Sequence, residues 1–405
     1  LNISDAIWVC PAGGPNAPYD RAVRVDRLLA SRDPVALDYY CGKYVLMPIS
    51  GDPRHDPNGD NQFHQMLAAS RDVLFAGGRQ ATMDEGMMNV FKGSGPDVPP
   101  PMPHEAFLAE GCTDHGFETW VTVLNPGERD TVAALRFLGE RTGETRGAVA
   151  VPAYSRVNVK VNDWVEADNV STLLAADSPM VAEVSMYGPG RRSGTCSMGV
   201  TAPGKEWYFA EGATHSGVDA WLLLLNPQEE AAEVRVGIDS PEGGLAPLTV
   251  KVKPRGRATL HLNDLLPDRD LSLRVESEAP VVASHSMYWG VPEGRAGHEC
   301  QGMAATAREF YLAEGCTAYG FDTWLLIYNP GEADAVATVY ALAEGGEREI
   351  GRVAVPARSR ATMKVNDFYE GPLSLRVAAD EPVCCERSTY WSGRAGGTCS
   401  PGYAP

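Results

Sequence analysis

The stretch Phe107-Leu108-Ala109-Glu110-Gly111-Cys112-Thr113 returns as Tyr208-Phe209-Ala210-Glu211-Gly212-Ala213-Thr214, and again as Tyr311-Leu312-Ala313-Glu314-Gly315-Cys316-Thr317. Self-similarity at a fixed period decides an architecture before any single residue is weighed. Each copy is followed by a Trp (Trp120, Trp221, Trp324) and an Asn-Pro pair (Asn125-Pro126, Asn226-Pro227, Asn329-Pro330). From that Asn to an Arg (Arg156, Arg257, Arg360) is 31 residues in all three copies, and from the Arg to an Asn-Asp pair is six. Each copy closes on a Tyr (Tyr187, Tyr288, Tyr390), a Gly-Arg pair ending in Arg191, Arg295 or Arg394, and a Cys (Cys196, Cys300, Cys399) five residues later. The Trp-to-Trp intervals are 101 and 103. The chain is read as three homologous repeats over 104–204, 205–307 and 308–405.

Inside a repeat the apolar period is two, as in Trp120-Val121-Thr122-Val123-Leu124 and Arg156-Val157-Asn158-Val159-Lys160-Val161. About seven such short strands, separated by turn signals, fit into about 100 residues, the pattern of an immunoglobulin-like antiparallel β-sandwich. The expected fold is mainly β: three tandem sandwiches preceded by a small α/β fragment over 1–91. Within that fragment Leu1 to Val9 reads as a strand. Ser31 or Asp33 caps a helix with Pro34 in its first turn, and a second helix is expected from Asn61 to Leu74. Residues 92–103, Lys-Gly-Ser-Gly-Pro-Asp-Val-Pro-Pro-Pro-Met-Pro, read as a semi-rigid linker. A chain that opens on Leu1 in mid-strand is expected to be a fragment or a processed form.

The 405 residues predict two to four domains. With 35 Lys and Arg against 53 Asp and Glu, the net charge is −18, which disfavours nucleic acid and anionic lipid as partners. No apolar run is long enough to cross a bilayer as a helix.

Residues 1–48 resemble the C-terminal part of the domain-of-unknown-function-362 family. The resemblance rests on Leu1-Asn2-Ile3-Ser4-Asp5-Ala6-Ile7, Ala12-Gly13-Gly14-Pro15 and Leu29-Ala30-Ser31-Arg32-Asp33-Pro34-Val35-Ala36-Leu37-Asp38. It implies an α/β fold and brings no catalytic residues with it. The repeats look like β-sandwich modules at the C-terminal ends of secreted bacterial proteins, which implies an extracellular or cell-surface location.

Of the nine Cys, Cys112 with Cys196 and Cys316 with Cys399 occupy matching positions in repeats one and three. They are read as intra-repeat disulfides, which would need an oxidising compartment. Cys300 with Cys316, or free thiols throughout, are the alternatives. Cys384 and Cys385 read as buried small hydrophobes, and without a Cys-x-x-Cys no zinc or iron–sulfur cofactor is expected. Glu110 with Arg191, Glu211 with Arg295 and Glu314 with Arg394 are expected as structural ion pairs beside those staples. Trp120, Trp221 and Trp324 read as core. Trp289 and Trp391, near the closing hairpins, are candidates for exposed stacking on sugar rings. His215, His261, His285 and His298 read as solvated. Asp56, Asn58 and Asp60 offer oxygens at alternate positions, a weak calcium candidate against a plain polar turn.

No catalytic motif is present. The expected function is therefore a non-catalytic surface or assembly protein, with self-association or other surface proteins as partners. A carbohydrate- or cell-wall-binding array attached to an upstream enzyme-like domain is the alternative.

Overall fold

A computed structural model describes residues 2–9, 23–79, 81–88, 104–290 and 296–405. The expected linker 92–103, Arg295 and Cys10 lie outside the described residues. The chain divides into two units, Leu1–Pro100 and Pro101–Pro405.

In the first unit, β1 (Asn2–Val9) and β2 (Val23–Ser31) pair antiparallel. Helix α1 (Pro34–Cys41) starts where Asp33 accepts from the amides of Val35 and Ala36, with Pro34 supplying a preset φ. Helix α2 (Gln62–Ala76) starts where Asn61 accepts from His64 N. The calcium candidate is a turn bonded to itself. Asp56 Oδ1 accepts from Asn58 N at 2.9 Å, Asn58 Oδ1 accepts from Tyr39 Oη at 2.9 Å, and Asn61 Nδ2 donates to Asp56 O at 2.7 Å.

The second unit is mainly β. Repeat one contains β3 (His104–Leu108), β4 (Glu118–Asn125), β5 (Thr131–Gly139), β6 (Gly143–Val151), β7 (Ser155–Lys160), β8 (Val170–Ala176), β9 (Val181–Tyr187) and β10 (Gly194–Met198). They form two antiparallel sheets of order β3-β8-β5-β6 and β10-β9-β4-β7. Repeat two contains β11 (Gly204–Phe209), β12 (Val218–Asn226), β13 (Ala232–Asp239), β14 (Leu245–Val252), β15 (Gly256–His261), β16 (Ser272–Trp289) and β17 (Ala296–Gln301). Repeat three contains β18 (Ala307–Leu312), β19 (Phe321–Asn329), β20 (Ala335–Ala343), β21 (Gly346–Val355), β22 (Ser359–Lys364), β23 (Ser374–Trp391) and β24 (Gly396–Pro401).

The three layouts agree. In repeats two and three one long strand, β16 or β23, serves both sheets. The first half of β16 pairs with β11 and β13, and its second half with β12 and β17. In repeat one the same course is broken into β8 and β9 at Asp177-Ser178-Pro179. The closing strands β10, β17 and β24 were not expected: their Gly and small residues lack the apolar alternation that marked the other strands.

The repeated asparagines are latches. Asn226 is fully buried; its Nδ2 donates to Glu230 O at 2.8 Å and Val252 O at 3.3 Å, and its Oδ1 accepts from Gln228 N at 3.0 Å. Asn125 and Asn329 repeat the arrangement. One side chain thus ties the turn after the Trp strand to the end of the next hairpin. The Asn of each Asn-Asp pair is a second latch: Asn263 accepts from Ala220 N at 2.8 Å and donates to Val218 O at 2.7 Å. A buried donor left without its partner costs about 1–3 kcal/mol, so Asn226→Ala should destabilise repeat two by about 2–4 kcal/mol. Calorimetry should show the loss, while Asn158→Ala, exposed on the sheet surface, moves stability by less than about 0.5 kcal/mol.

Candidate functional site

The residues that recur in every repeat converge at the junctions between repeats. Strand β12 explains how. Leu222 and Leu224 enter the core of repeat two, while Leu223 and Leu225, with Val282, pack on Phe107, Ala109, Leu138 and Leu173 of repeat one. A strand buried on both faces reads as a continuous apolar run, hence Leu222-Leu223-Leu224-Leu225. The second junction repeats the scheme. Tyr208 and Ala210 of repeat two share a cluster with Leu326, Tyr328 and Cys384 of repeat three, and Tyr328 Oη donates to Asp239 Oδ2 at 2.5 Å.

A buried acid sits inside each apolar junction. Glu110 is 5% exposed. Ser286 Oγ of repeat two donates to its Oε2 at 2.6 Å and Tyr288 Oη to its Oε1 at 3.4 Å. Burial pushes this carboxyl above its usual range, against the pull of Arg257. Arg257 is itself buried, with Nη1 donating to Gly111 O at 3.2 Å. At the second junction Ser388 donates to Glu211, and Glu211 N donates to Glu386 Oε2 at 2.6 Å. Arg360 donates through Nη1 to Gly212 O at 2.8 Å and Leu271 O at 2.9 Å, and through Nη2 to Asp270 at 2.7 Å. Burial works against charge on Asp270, but Arg360 and His215 outweigh it and hold the carboxyl below its usual range. The Glu-Gly motif follows from this close approach: a Cβ on Gly212 would stand 2.8 Å from Leu271 O, one of the carbonyls that Arg360 clamps.

The expected pairings of Glu110 with Arg191 and of Glu314 with Arg394 are therefore corrected, while that of Glu211 with Arg295 falls outside the described residues. Glu110 and Glu211 reach across to the next repeat. Arg191 pairs instead with Glu118 at 2.6 Å, Arg394 lies over the Tyr390 ring at 5.2 Å, and Glu314 is held by Arg387 of its own repeat. The expected staples are corrected too, since Cys112, Cys196, Cys316 and Cys399 are all free. The physical reason is topological: the opening strands and the closing strands belong to opposite sheets. Cys112 and Cys316 lie just past the opening strands, each donating to a carbonyl two residues on at 3.6 Å. Cys399 lies beside Cys300 of the preceding repeat, not beside Cys316, and a Cys300–Cys316 bond is likewise absent. Cys384 and Cys385 are fully buried, as expected.

Trp289 is 6% exposed, with its Nε1 donating to Arg394 O at 2.7 Å, so it is a junction residue and no open platform. Trp391 is 36% exposed and lines a groove of about 320 Å³ with Tyr187, Arg191, Gly297 and Gly397, where closing segments of all three repeats meet. Trp120, Trp221 and Trp324 are half-buried; Trp221 stacks on His261 at 4.1 Å, and Trp324 packs against the core clusters of repeats two and three. Of the histidines expected in solvent, His285 and His298 are buried, and burial pushes them down to about 3 and about 4. His215 instead bonds Asp270 at 3.0 Å. Between repeats two and three a cleft of about 210 Å³ is lined by Glu211, His215, Asp270, Trp324, Arg360 and Arg394.

A family model, Family of unknown function (DUF5719), matches residues 178–396, more than half of the chain. The chain belongs to the DUF5719 family. The match runs from β9 through repeat two and most of repeat three, so it takes in Glu211, Arg360 and Ser388 of the second junction. It lies outside residues 1–48 and gives no support to the resemblance of that segment to the domain-of-unknown-function-362 family. No curated protein matches. Among solved structures the chain is similar to Thermotoga maritima 1070, at 21% identity over 25% of this chain and 94% of that one, with a TM-score of 0.22. It is also similar to the Anabaena sensory rhodopsin transducer, at 23% identity over 20% of this chain and 95% of that one, with a TM-score of 0.19.

The outward faces of repeats one and three carry the same parts with no described repeat against them, although Glu314 there pairs with Arg387 of its own repeat. On repeat one, Arg156 stands where Arg257 and Arg360 stand, with Ser185 and Tyr187 in the places of Ser286 and Tyr288. Here Arg156 is exposed, Leu124 is 39% exposed and Tyr187 36%. On repeat three, Glu314 stands where Glu110 and Glu211 stand; its side chain is 66% exposed, and Tyr311 is 36% exposed.

Two outcomes follow from this geometry. Removing one partner of a buried charged pair costs about 3–5 kcal/mol, so Arg360→Ala should lower the melting temperature sharply, whereas the exposed Arg156→Ala shifts stability by less than about 0.5 kcal/mol. Burial raises Glu386 from 4.5 to about 8. Between those values the folded chain keeps a proton that the unfolded chain has released, so this group's contribution to stability falls as pH rises through the window and levels off above it. Glu386→Gln should remove that slope, and its melting temperature relative to wild type should climb from pH 4.5 to pH 8.

Proposed function

We propose that this chain is a non-catalytic structural protein acting outside the cell, and that copies of it assemble head to tail through the interface that joins its own repeats. The observation that supports this reading most is the pair of outer faces that carry the junction's own parts. Repeat one presents Arg156, Ser185 and Tyr187 with the apolar Leu124 and Val181; repeat three presents Glu314 with Tyr311 and Ala313. These are the two halves of a contact that closes twice inside the chain. The occupant of each outer face is therefore a second copy, with Arg156 of one chain meeting Glu314 of the next. Such a contact is heterologous, so it propagates into filaments unless it closes on itself. The compositional bias against nucleic acid and the resemblance of the repeats to secreted modules support the location.

Light scattering on the full chain tests the reading. Arg156→Glu blocks one face and Glu314→Arg the other, so each variant alone should stay at the 43.5 kDa monomer mass. Mixed, they retain one intact Glu314 and one intact Arg156, and the two reversed charges are complementary to each other, so the mixture should recover association that neither variant shows alone. A wild-type chain that stays monomeric at its solubility limit overturns self-assembly. Association that both variants preserve keeps assembly but moves it to another surface.

A second reading is carbohydrate binding in the groove that Trp391 and Tyr187 both line, since half-exposed aromatics beside Gly297 and Gly397 suit the face of a sugar ring. Trp391→Ala should then abolish retention on cell-wall glycan; no retention of wild type rejects it.

A further inference from the structure

Cys300 and Cys399 are the closing cysteines of repeats two and three, on β17 and β24. Their sulfurs and a carboxylate oxygen of Glu386 all lie within 4.8 Å of one another, and all three residues are buried. Cys300 Sγ contacts Glu386 Oε1 at 3.8 Å, and Cys399 Sγ lies within 4.8 Å of both. Among the described residues no other group of three His, Cys, Asp or Glu converges this way. The two sulfurs belong to different repeats, so a bond between them would bridge the junction that Glu211 and Arg360 already clasp.

We propose that Cys300 and Cys399 are a modification site: under oxidising conditions they form a disulfide that cross-links repeat two to repeat three. The step is a thiol–disulfide exchange with a small disulfide such as oxidised glutathione. One thiol, deprotonated, attacks the reagent and expels one glutathione thiolate. The second thiol then displaces the other glutathione, so two protein thiols are oxidised, one reagent disulfide is reduced, and the two protons pass to the glutathione thiolates. A cross-link accounts for the surroundings better than a metal ion does. Cys399 and then burial raise the Cys300 thiol, against the pull of Cys300 burial raises Cys399, and burial raises Glu386, so all three lean toward their neutral forms. A disulfide is neutral and apolar. A divalent cation held by two thiolates and a carboxylate would leave net negative charge in the same buried space, with three ligands where zinc takes four. The other cysteines are placed differently: Cys112 and Cys316 sit apart on the opening segments, and Cys196 is exposed on repeat one.

The test is refolding of the full chain in a glutathione redox pair, followed by alkylation and tryptic mapping without reduction. Cleavage after arginine places Cys300 in 296–308, Cys399 in 395–405 and the Cys384–Cys385 pair in 377–387, so the partners are unambiguous. The expected product is a linked 296–308/395–405 peptide, with titratable thiols falling by two from the nine of the reduced chain. The oxidised protein should melt at higher temperature than the reduced one, and Cys399→Ser should abolish that difference while Cys316→Ser keeps it. The mapping needs no variant, so it stands even if Cys399→Ser fails to fold. Recovery of both peptides singly alkylated after oxidation overturns the proposal. So does a bond from either cysteine to 377–387, or zinc retained stoichiometrically by the reduced chain and lost in Cys300→Ser.

Discussion

A carboxylate carried by the opening strand of one repeat and received by the next holds the row of sandwiches together. Glu110 and Glu211 leave their own repeats and end among Ser286 and Tyr288, or Ser388 and Arg360, of the following one. Removing such a group from water is expensive, and the cost is offset only where hydroxyls and a guanidinium meet it. The receiving repeat supplies both. Its arginine turns to the carbonyls bared by the Glu-Gly step, so acid, glycine and arginine form one device.

Apolar contact alone would not do the same work. Leu223, Leu225 and Val282 each contribute on the order of 1.5–3 kcal/mol by leaving water, but leucine packing has no direction and tolerates sliding and rotation. A buried acid that must find a serine, a tyrosine and an arginine at fixed positions admits one rotation of one sandwich on the next. The same arrangement brings the closing segments into one row, which is why Tyr187, Gly297 and Trp391, from three different repeats, border one groove.

Local features were readable from the sequence because local chemistry makes them. The helix caps at Asp33 and Asn61, the alternating strands and the three-fold repetition all follow from neighbours along the chain. Partner choice was not readable in the same way. Glu110 and Arg191 recur with the repeat, and periodicity alone cannot tell a contact within a repeat from one between repeats. The cysteines misled for the same reason: matching positions in repeats one and three suggested a staple, while strand order places opening and closing segments in opposite sheets. Trp289 carried no sign of burial in its own strand, because the group that covers it, Arg394, comes from the next repeat.

The sequence did hold one signal for the junctions. Val121-Thr122-Val123-Leu124 alternates, whereas Leu222-Leu223-Leu224-Leu225 and Leu325-Leu326-Ile327-Tyr328 do not. A sandwich strand with one wet face must alternate, so the loss of alternation marks the repeats that receive a neighbour. Repeat one keeps the polar receiving groups, Arg156, Ser185 and Tyr187, and of the apolar ones Leu124 and Val181, but has Thr122 where Leu223 and Leu326 stand. Its outer face thus keeps the specific part of the contact and a reduced share of the adhesive part. A face that mixes a few apolar side chains with fixed polar groups differs in kind from a surface that aggregates through exposed apolar area, because its contacts depend on the partner's charge and not on area alone.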